Sequence, residues 1–168
     1  MKDFIIKLKK SMNFVLSRIS ALFLITMTCL VLYQVFTRYV LNSPSDFTEE
    51  IVRYLLVWTG FIGAAYAFNT RQHMSLIFFK EKLSEEKQKW LSVIIDFIIL
   101  LFALLIMVIG GWTLSISTMG ALSALLSVPR GLVYLIGPIS GIFIIIGQII
   151  NIWEDINGTV IDLEEEDI

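Results

Sequence analysis

The sequence predicts an all-α integral membrane protein with four transmembrane helices and short interfacial helices. Of its 168 residues, 57% are hydrophobic and 17% are charged, whereas soluble domains average roughly 45–50% apolar and roughly 25% charged residues. The apolar residues also gather in four runs, and a bilayer core requires about 20 helical residues per crossing. We predict one membrane domain, 1–153, with spans at approximately 14–40, 48–69, 91–119 and 132–153, and then an acidic tail at 154–168.

The first two spans are defined by their flanking residues. The lysine-rich start followed by the apolar run Ile19–Phe36 resembles a signal peptide. The run has 18 residues, longer than the usual apolar region of about 7–15, and no small-x-small cleavage site follows it. We therefore expect an uncleaved anchor. The turn 42–46 precedes the second span, where Asp46 and Glu49 have the spacing of a capping-box variant.

The third apolar stretch is too long for one upright crossing. Phe97–Pro129 contains 33 residues without a charge; as a straight helix it would extend about 50 Å, against a bilayer core of about 30 Å. We predict that the third span ends near Met119 and that the chain breaks at Gly120. Residues 121–128 would then lie along the membrane surface or pack against a partner.

The distribution of basic residues predicts the orientation. Ten of the 13 lysines and arginines precede the first span or lie between the second and third spans. Arg38, Arg53 and Arg130 fall in the two other loops. Because cytoplasmic loops carry the excess of basic residues, both termini are predicted to be cytoplasmic.

Two ionisable residues are predicted to pair near the cytoplasmic edge of the membrane. Asp96 lies six residues after Trp90, and Arg18 has a similar depth on the first span. Each charge alone is costly there, which favours a structural Arg18–Asp96 ion pair. A cation from a partner subunit is an alternative. A proton or sodium site at Asp96 is less favoured, because such sites need several converging oxygen ligands and a broken helix.

Several function classes are excluded by composition. Cys29 and His73 are the only cysteine and histidine, so we expect no disulfide, no metal or haem site within the chain and no cofactor. Thirteen basic against 15 acidic residues give a net charge of -2, without the basic surplus of a nucleic-acid-binding protein. A membrane redox enzyme and a self-sufficient exporter both fit poorly, and we expect no enzymatic activity.

Small residues recur at four-residue spacing in three spans. This spacing lets transmembrane helices approach closely, which is a main source of association energy in lipid. The pairs are Gly60 with Ala64, Gly63 with Ala67, Gly111 with Ser115, and Gly137 with Gly141. They indicate a packed bundle in which some helix faces are available to another subunit.

A set of motifs resembles a known family. Gln34-Val-Phe-Thr-Arg38-Tyr39-Val-Leu-Asn42 closes the first span, and Thr48-Glu49-Glu50-Ile-Val-Arg53-Tyr54 opens the second. Further matching positions are Trp58, Phe61-Ile-Gly63-Ala-Ala, His73, and Pro129-x4-Tyr134-x3-Pro138. Together they resemble the small membrane subunit of TRAP (tripartite ATP-independent periplasmic) transporters, the DctQ-like family. Phe47 departs from the tryptophan that this family usually has there.

The resemblance implies sodium-driven uptake of organic acids such as sialic acid or C4-dicarboxylates, across the bacterial inner membrane. The expected partners are a large membrane subunit, which holds the substrate and sodium sites, a periplasmic substrate-binding protein, and membrane lipid. The matched residues imply a partner interface or structural polar cluster comprising Arg38, Glu49, Glu50, Arg53, Trp58, Gly63, His73, Pro129, Tyr134 and Pro138. The periplasmic docking candidates are Ser43, Asp46 and Arg130. The alternative is a scaffold or assembly subunit of another membrane complex, without transport activity of its own.

Overall fold

The described structure, a computed structural model, consists of helices joined by short connections. It covers residues 2–43, 45–71 and 85–157. The helices are α1 (Lys2–Tyr39), α2 (Asp46–Asn69), α3 (Glu85–Phe102), a π-helical segment (Ala103–Gly110), α4 (Gly111–Ser117), α5 (Arg130–Tyr134) and α6 (Ile136–Asn157).

The all-α membrane fold predicted from the sequence is confirmed. Four helical stretches are long and apolar enough to cross a bilayer. The third comprises α3, the π-helical segment and α4, and the fourth comprises α5 and α6. Within the described residues, extended pairing is limited to an isolated bridge between Leu122 and Pro129.

Two helices extend beyond the predicted spans. α1 begins at Lys2, about 12 residues before the predicted crossing, and α6 continues to Asn157. Glu154 and Asp155 were assigned to a solvated tail, and that assignment is wrong, because both form ion pairs with basic residues of other segments. Residues 158–168 and most of the predicted interfacial segment 78–90 lie outside the described residues.

The bundle has two chemically different ends. We call the end where α1 begins and α6 finishes the termini end. The opposite end, the hairpin end, carries residues 40–45 between α1 and α2 and residues 118–129 before α5. The helix of the third span ends at Ser117, and the chain turns at 118–120. Residues 121–128 then form a hairpin, closed by hydrogen bonds from Ser123 N to Val128 O and from Arg130 N to Ala121 O, both 2.9 Å.

α6 is the most buried span and forms the centre of the fold. It packs on α2, α3 and the π-helical segment through a core comprising Ile62, Ala65, Ala103, Met107, Ile136 and Ile144. Glycines permit this approach. A Cβ at Gly141 would lie 2.9 Å from Met107 Cβ, and one at Gly111 would lie 2.9 Å from Pro138 Cδ. α1 packs on the outside against α2, and most of its apolar surface stays exposed.

Candidate functional site

At the hairpin end, Glu50 links the start of α2 to the 121–128 hairpin. Its side chain is buried, with 6% exposed. Oε2 accepts hydrogen bonds from the backbone N–H groups of Leu125 (2.9 Å) and Leu126 (3.3 Å). The Tyr54 hydroxyl, one turn further along α2, donates to Oε1. One carboxylate therefore satisfies two backbone donors that the hairpin could not pair by itself.

Glu49, Glu50 and Arg53 do not form one cluster on a single face of α2. Arg53 Nη2 lies 3.3 Å from Glu49 Oε1, in an exposed pair one turn apart. Glu50 is rotated about 100° from Glu49 around the helix axis and turns inward to the hairpin. The two neighbouring acids therefore have different roles, one on the surface and one structural.

The capping box predicted at Asp46 does not form in the described residues. Asp46 is the first residue of α2, and the capping position belongs to Ser45, which makes no side-chain cap hydrogen bond there. The Thr48 hydroxyl instead donates to the Ser45 carbonyl at 2.7 Å. Asp46 and Glu49 still lie in the first turn, where negative charge interacts favourably with the helix dipole.

A cleft of about 570 Å³ opens beside Glu50. It brings together two of the three predicted docking candidates, Asp46 and Arg130, with Tyr134 and the Glu49–Arg53 pair. Its lining residues are Asp46, Glu49, Glu50, Arg53, Tyr54, Val57, Ala124, Leu125, Arg130, Val133 and Tyr134. The cleft has charged groups of both signs together with apolar side chains from α2 and α5.

Other predicted site residues lie outside this cleft. Ser43 is exposed in the α1–α2 connection, where its N–H donates to Thr37 O at 3.1 Å. Arg38 is exposed in the last turn of α1, and among the described residues no ion pair joins it to Glu49 or Glu50. His73 falls outside the described residues.

Trp58 ties three helices together below the cleft. Its Nε1 donates to the Val133 carbonyl of α5 at 3.0 Å, and its ring lies 5.9 Å from the Phe23 ring of α1, centroid to centroid. Pro129 is the N-cap residue of α5, and Pro138 packs on Gly111. Gly63 differs, because a Cβ there would meet nothing within 4 Å in the described chain.

At the termini end, Lys9 and Glu154 form a buried ion pair. Lys9 Nζ lies 2.7 and 2.8 Å from the two carboxylate oxygens, and the side chains are only 3% and 1% exposed. The pair fastens the start of α1 to the last turns of α6. Removing one partner of a buried pair typically costs about 3–5 kcal/mol, because the other charge stays buried without compensation.

Arg71 forms the second ionic contact at the termini end. Its guanidinium lies 2.7 Å from Asp155 Oδ1 and 3.3 Å from Asp96 Oδ2, and it also donates to the Asn151 carbonyl. Arg71 follows α2 in a left-handed conformation, with φ of 56°. The three polar contacts offset that strain, since non-glycine residues in this region persist only when their surroundings hold them.

The structure pairs Asp96 with Arg71 and not with the predicted Arg18. Arg18 is exposed, with its guanidinium carbon 4.9 Å from the centroid of the Phe14 ring. Depth along the spans contains no information on the direction of a side chain around its helix, so it could not distinguish Arg18 from another cation as the partner of Asp96. Arg71, just beyond α2, reaches the same level from inside the bundle.

Buried amides complete the termini end. Gln148 Nε2 and Asn151 Nδ2 both donate to the Phe68 carbonyl, at 3.1 and 3.4 Å. Asn69 is 0% exposed and packs directly on Gly147. Sequence reasoning missed this cluster, although Gln148, Asn151 and Glu154 recur at three-residue spacing on one face of an apolar span, which is a readable signal for a buried polar stripe.

The described charges mainly hold the fold together. No group of three or more histidine, cysteine, aspartate or glutamate side chains in 2–43, 45–71 and 85–157 is arranged to hold a metal ion. The two ends instead contain a carboxylate that binds a hairpin and ion pairs that fasten helices. These contacts stabilise the helix bundle at its two ends.

Comparison with known proteins shows the family. Residues 27–158 match the family described as the DctQ component of tripartite ATP-independent periplasmic transporters. The chain belongs to the DctQ family. It is 36% identical over 118 residues to a Haemophilus influenzae protein named as a TRAP transporter small permease protein, covering 70% of this chain and 73% of the relative.

A second DctQ relative is the sialic acid TRAP transporter small permease protein SiaQ of Vibrio cholerae. It is 28% identical over 103 residues, covering 61% of this chain and 60% of the relative. Membership confirms the resemblance seen in the motifs and, with the four apolar spans, makes this chain a multi-pass inner membrane protein. The family's name describes a tripartite transporter, of which this chain is the small permease component.

Proposed function

We propose that this chain braces the large membrane subunit of a sodium-driven TRAP transporter for organic acids such as sialic acid or C4-dicarboxylates. It would carry no substrate site and no catalytic activity of its own. Membership in the DctQ family supports the assembly, and the sialic acid transporter relative supports the substrate class. The excess of basic residues on two segments supports a cytoplasmic termini end and a periplasmic hairpin end.

One observation carries the bracing role: α2 has an uncovered flank of small residues. A Cβ at Gly60 or Gly63 would meet nothing within 4 Å in the described chain, whereas Gly111, Gly141 and Gly147 each contact a neighbouring helix. Ala64 and Ala67 extend the flank by about one turn. Such surfaces allow another helix to approach closely in lipid, so we assign this flank to the large subunit.

A larger side chain at Gly63 tests this assignment. Gly63→Leu should leave the unfolding midpoint of the purified chain unchanged, because its side chain has space within the chain. It should abolish one-to-one co-purification with the large subunit. Ala21→Leu is the matched control, since Ala21 is an exposed small residue on α1. Equal co-purification of both variants would refute the assignment of the flank.

We further propose that the hairpin end receives the substrate-binding protein. Asp46 and Arg130 line the cleft, and Ser43 is exposed in the adjacent connection. Reversing either charge, with Asp46→Lys or Arg130→Glu, should reduce uptake by reconstituted vesicles several-fold while the membrane complex still purifies intact. Unchanged uptake combined with failed assembly would show that these residues serve the membrane subunits.

The second candidate is a scaffold or assembly subunit without a part in transport. Its supporting observation is that the ion pairs and the Glu50 contacts stabilise the chain internally. Vesicles that contain the large subunit and the binding protein distinguish the two functions. Full uptake without this chain would favour assembly alone, and loss of uptake with a correctly inserted large subunit would favour bracing.

A further inference from the structure

The 121–128 hairpin has an unusual surface for a loop at the end of a membrane bundle. It contains no charged residue, and its sequence is Ala-Leu-Ser-Ala-Leu-Leu-Ser-Val. Leu122 and Leu125 point outward, with 57% and 55% of their surface exposed. Ser123 is the buried polar member and accepts from Val128 N at 3.2 Å. The hairpin therefore exposes Leu122, Leu125 and Ser127 and buries the Ser123 hydroxyl.

Five of the eight backbone N–H groups of the hairpin donate within the protein, namely those of Ala121, Ser123, Leu125, Leu126 and Val128. The N–H groups of Ser123 and Arg130 close the hairpin, and that of Ala121 donates to Thr118 O at 3.1 Å. The N–H groups of Leu125 and Leu126 donate to the Glu50 carboxylate. A loop in water can leave these donors to solvent, but a segment in contact with lipid must pair them internally.

Leu122 also continues the apolar surface of the spans. Ile116 and Met119 are exposed just before the hairpin, and Leu132 is exposed just after it. Leu122 is not among the residues lining the charged cleft, which places it on the outer surface of the hairpin. The surface that the third and fourth spans present to lipid thus extends onto this connection.

We propose that the 121–128 hairpin is a membrane-interface anchor whose Leu122 side chain inserts into the lipid leaflet at the hairpin end, while Leu125 lines the cleft. Lipid is favoured over a protein partner because the hairpin has no tyrosine, tryptophan or arginine, the residues enriched in protein interfaces. Glu50 makes this position possible, since it supplies the acceptor that the two leucine N–H groups would otherwise take from water. The inference is independent of the transported substrate.

Site-directed spin labelling tests the insertion. In a Cys29→Ser background, Leu122→Cys is labelled with a nitroxide, and the full chain is reconstituted into phosphatidylcholine–phosphatidylglycerol vesicles. Accessibility to oxygen, which partitions into lipid, is compared with accessibility to a water-soluble nickel chelate. Ser43→Cys, in the other connection at the same end, is the aqueous control, and Leu105→Cys, exposed in the third span, is the lipid control.

We expect the oxygen-to-nickel accessibility ratio at position 122 to exceed that of Ser43→Cys several-fold and to approach that of Leu105→Cys. A ratio equal to the aqueous control would overturn the proposal. The measurement is repeated in the complex with the large subunit. A label that then becomes inaccessible to both reagents would show that a protein surface covers the hairpin, which would also overturn it.

Discussion

Glu49 and Glu50 are neighbours in sequence but have different roles, because they face different sides of α2. Glu49 faces solvent and pairs with Arg53, and Glu50 faces inward and binds the hairpin backbone. Their chemistry is identical, so the difference comes from helix rotation alone. Exposed ion pairs contribute at most about 1 kcal/mol, whereas a buried acceptor that satisfies several donors is costly to remove.

Substitutions of Glu50 and Glu49 are expected to differ in their effect on stability. Glu50→Gln should lower the thermal unfolding midpoint of the purified chain by several degrees, because the neutral amide loses the charge-assisted hydrogen bonds to the hairpin and presents an NH₂ group to the Tyr54 hydroxyl. Glu49→Gln should shift the midpoint little, consistent with a loss below about 1 kcal/mol. Equal shifts for the two variants would show that the hairpin does not depend on the Glu50 carboxylate.

At the level of elements, glycines decide which helices meet closely. Gly147 allows Asn69 of α2 to pack on α6, because a Cβ at Gly147 would lie 1.8 Å from Asn69 Oδ1 and 2.4 Å from Asn69 Cγ. Asn69 is fully buried and has no free direction in which to move. The α2–α6 contact therefore depends on a glycine of α6.

Gly147→Ala should destabilise the chain by about 1–3 kcal/mol, the usual cost of overpacking. Adding Asn69→Ala should recover part of that loss, because most of the clashing atoms are removed. Gly60→Ala is the control and should be neutral, since the added methyl group has open space in the described chain. Detergent or urea unfolding of these three variants and of Asn69→Ala alone measures the coupling, and strictly additive effects would contradict direct contact.

At the scale of the whole molecule, the termini end fastens all four spans. Lys9 comes from α1, Arg71 follows α2, Asp96 belongs to α3, and Glu154 and Asp155 belong to α6. Few apolar contacts join α1 directly to α6, so the Lys9–Glu154 pair is the principal link between these two helices. Ion pairs therefore hold the spans together at the termini end, and hydrogen bonds from the hairpin backbone to Glu50 do so at the hairpin end.

Lys9→Met should destabilise the chain by about 3–5 kcal/mol, because it leaves the Glu154 carboxylate buried without its cation. The double variant Lys9→Met with Glu154→Leu should be much more stable than the single variant, since an apolar pair of similar volume avoids the desolvation cost. Unfolding midpoints of the two proteins provide the measurement. A double variant as unstable as the single one would mean that the pair is required for more than charge compensation.

The sequence predicted the fold class because this depends on local properties, such as apolar run length and the lack of charge. It missed Arg71 as the partner of Asp96 because residue depth does not determine which way a side chain faces. The role of Glu50 was missed for a similar reason, since Leu125 and Leu126 meet it through a connection about 75 residues away.

The contact between Lys9 and Glu154 also has a consequence for biosynthesis. Lys9 is synthesised 145 positions before the residue that neutralises it, so the nascent chain emerges from the ribosome with that ammonium group unmatched. Until α6 is complete, hydration or lipid phosphates must accommodate it. The contact between the start of α1 and the last turns of α6 can therefore form only after α6 has been translated, whereas the packing of α1 on α2 does not have to wait for it.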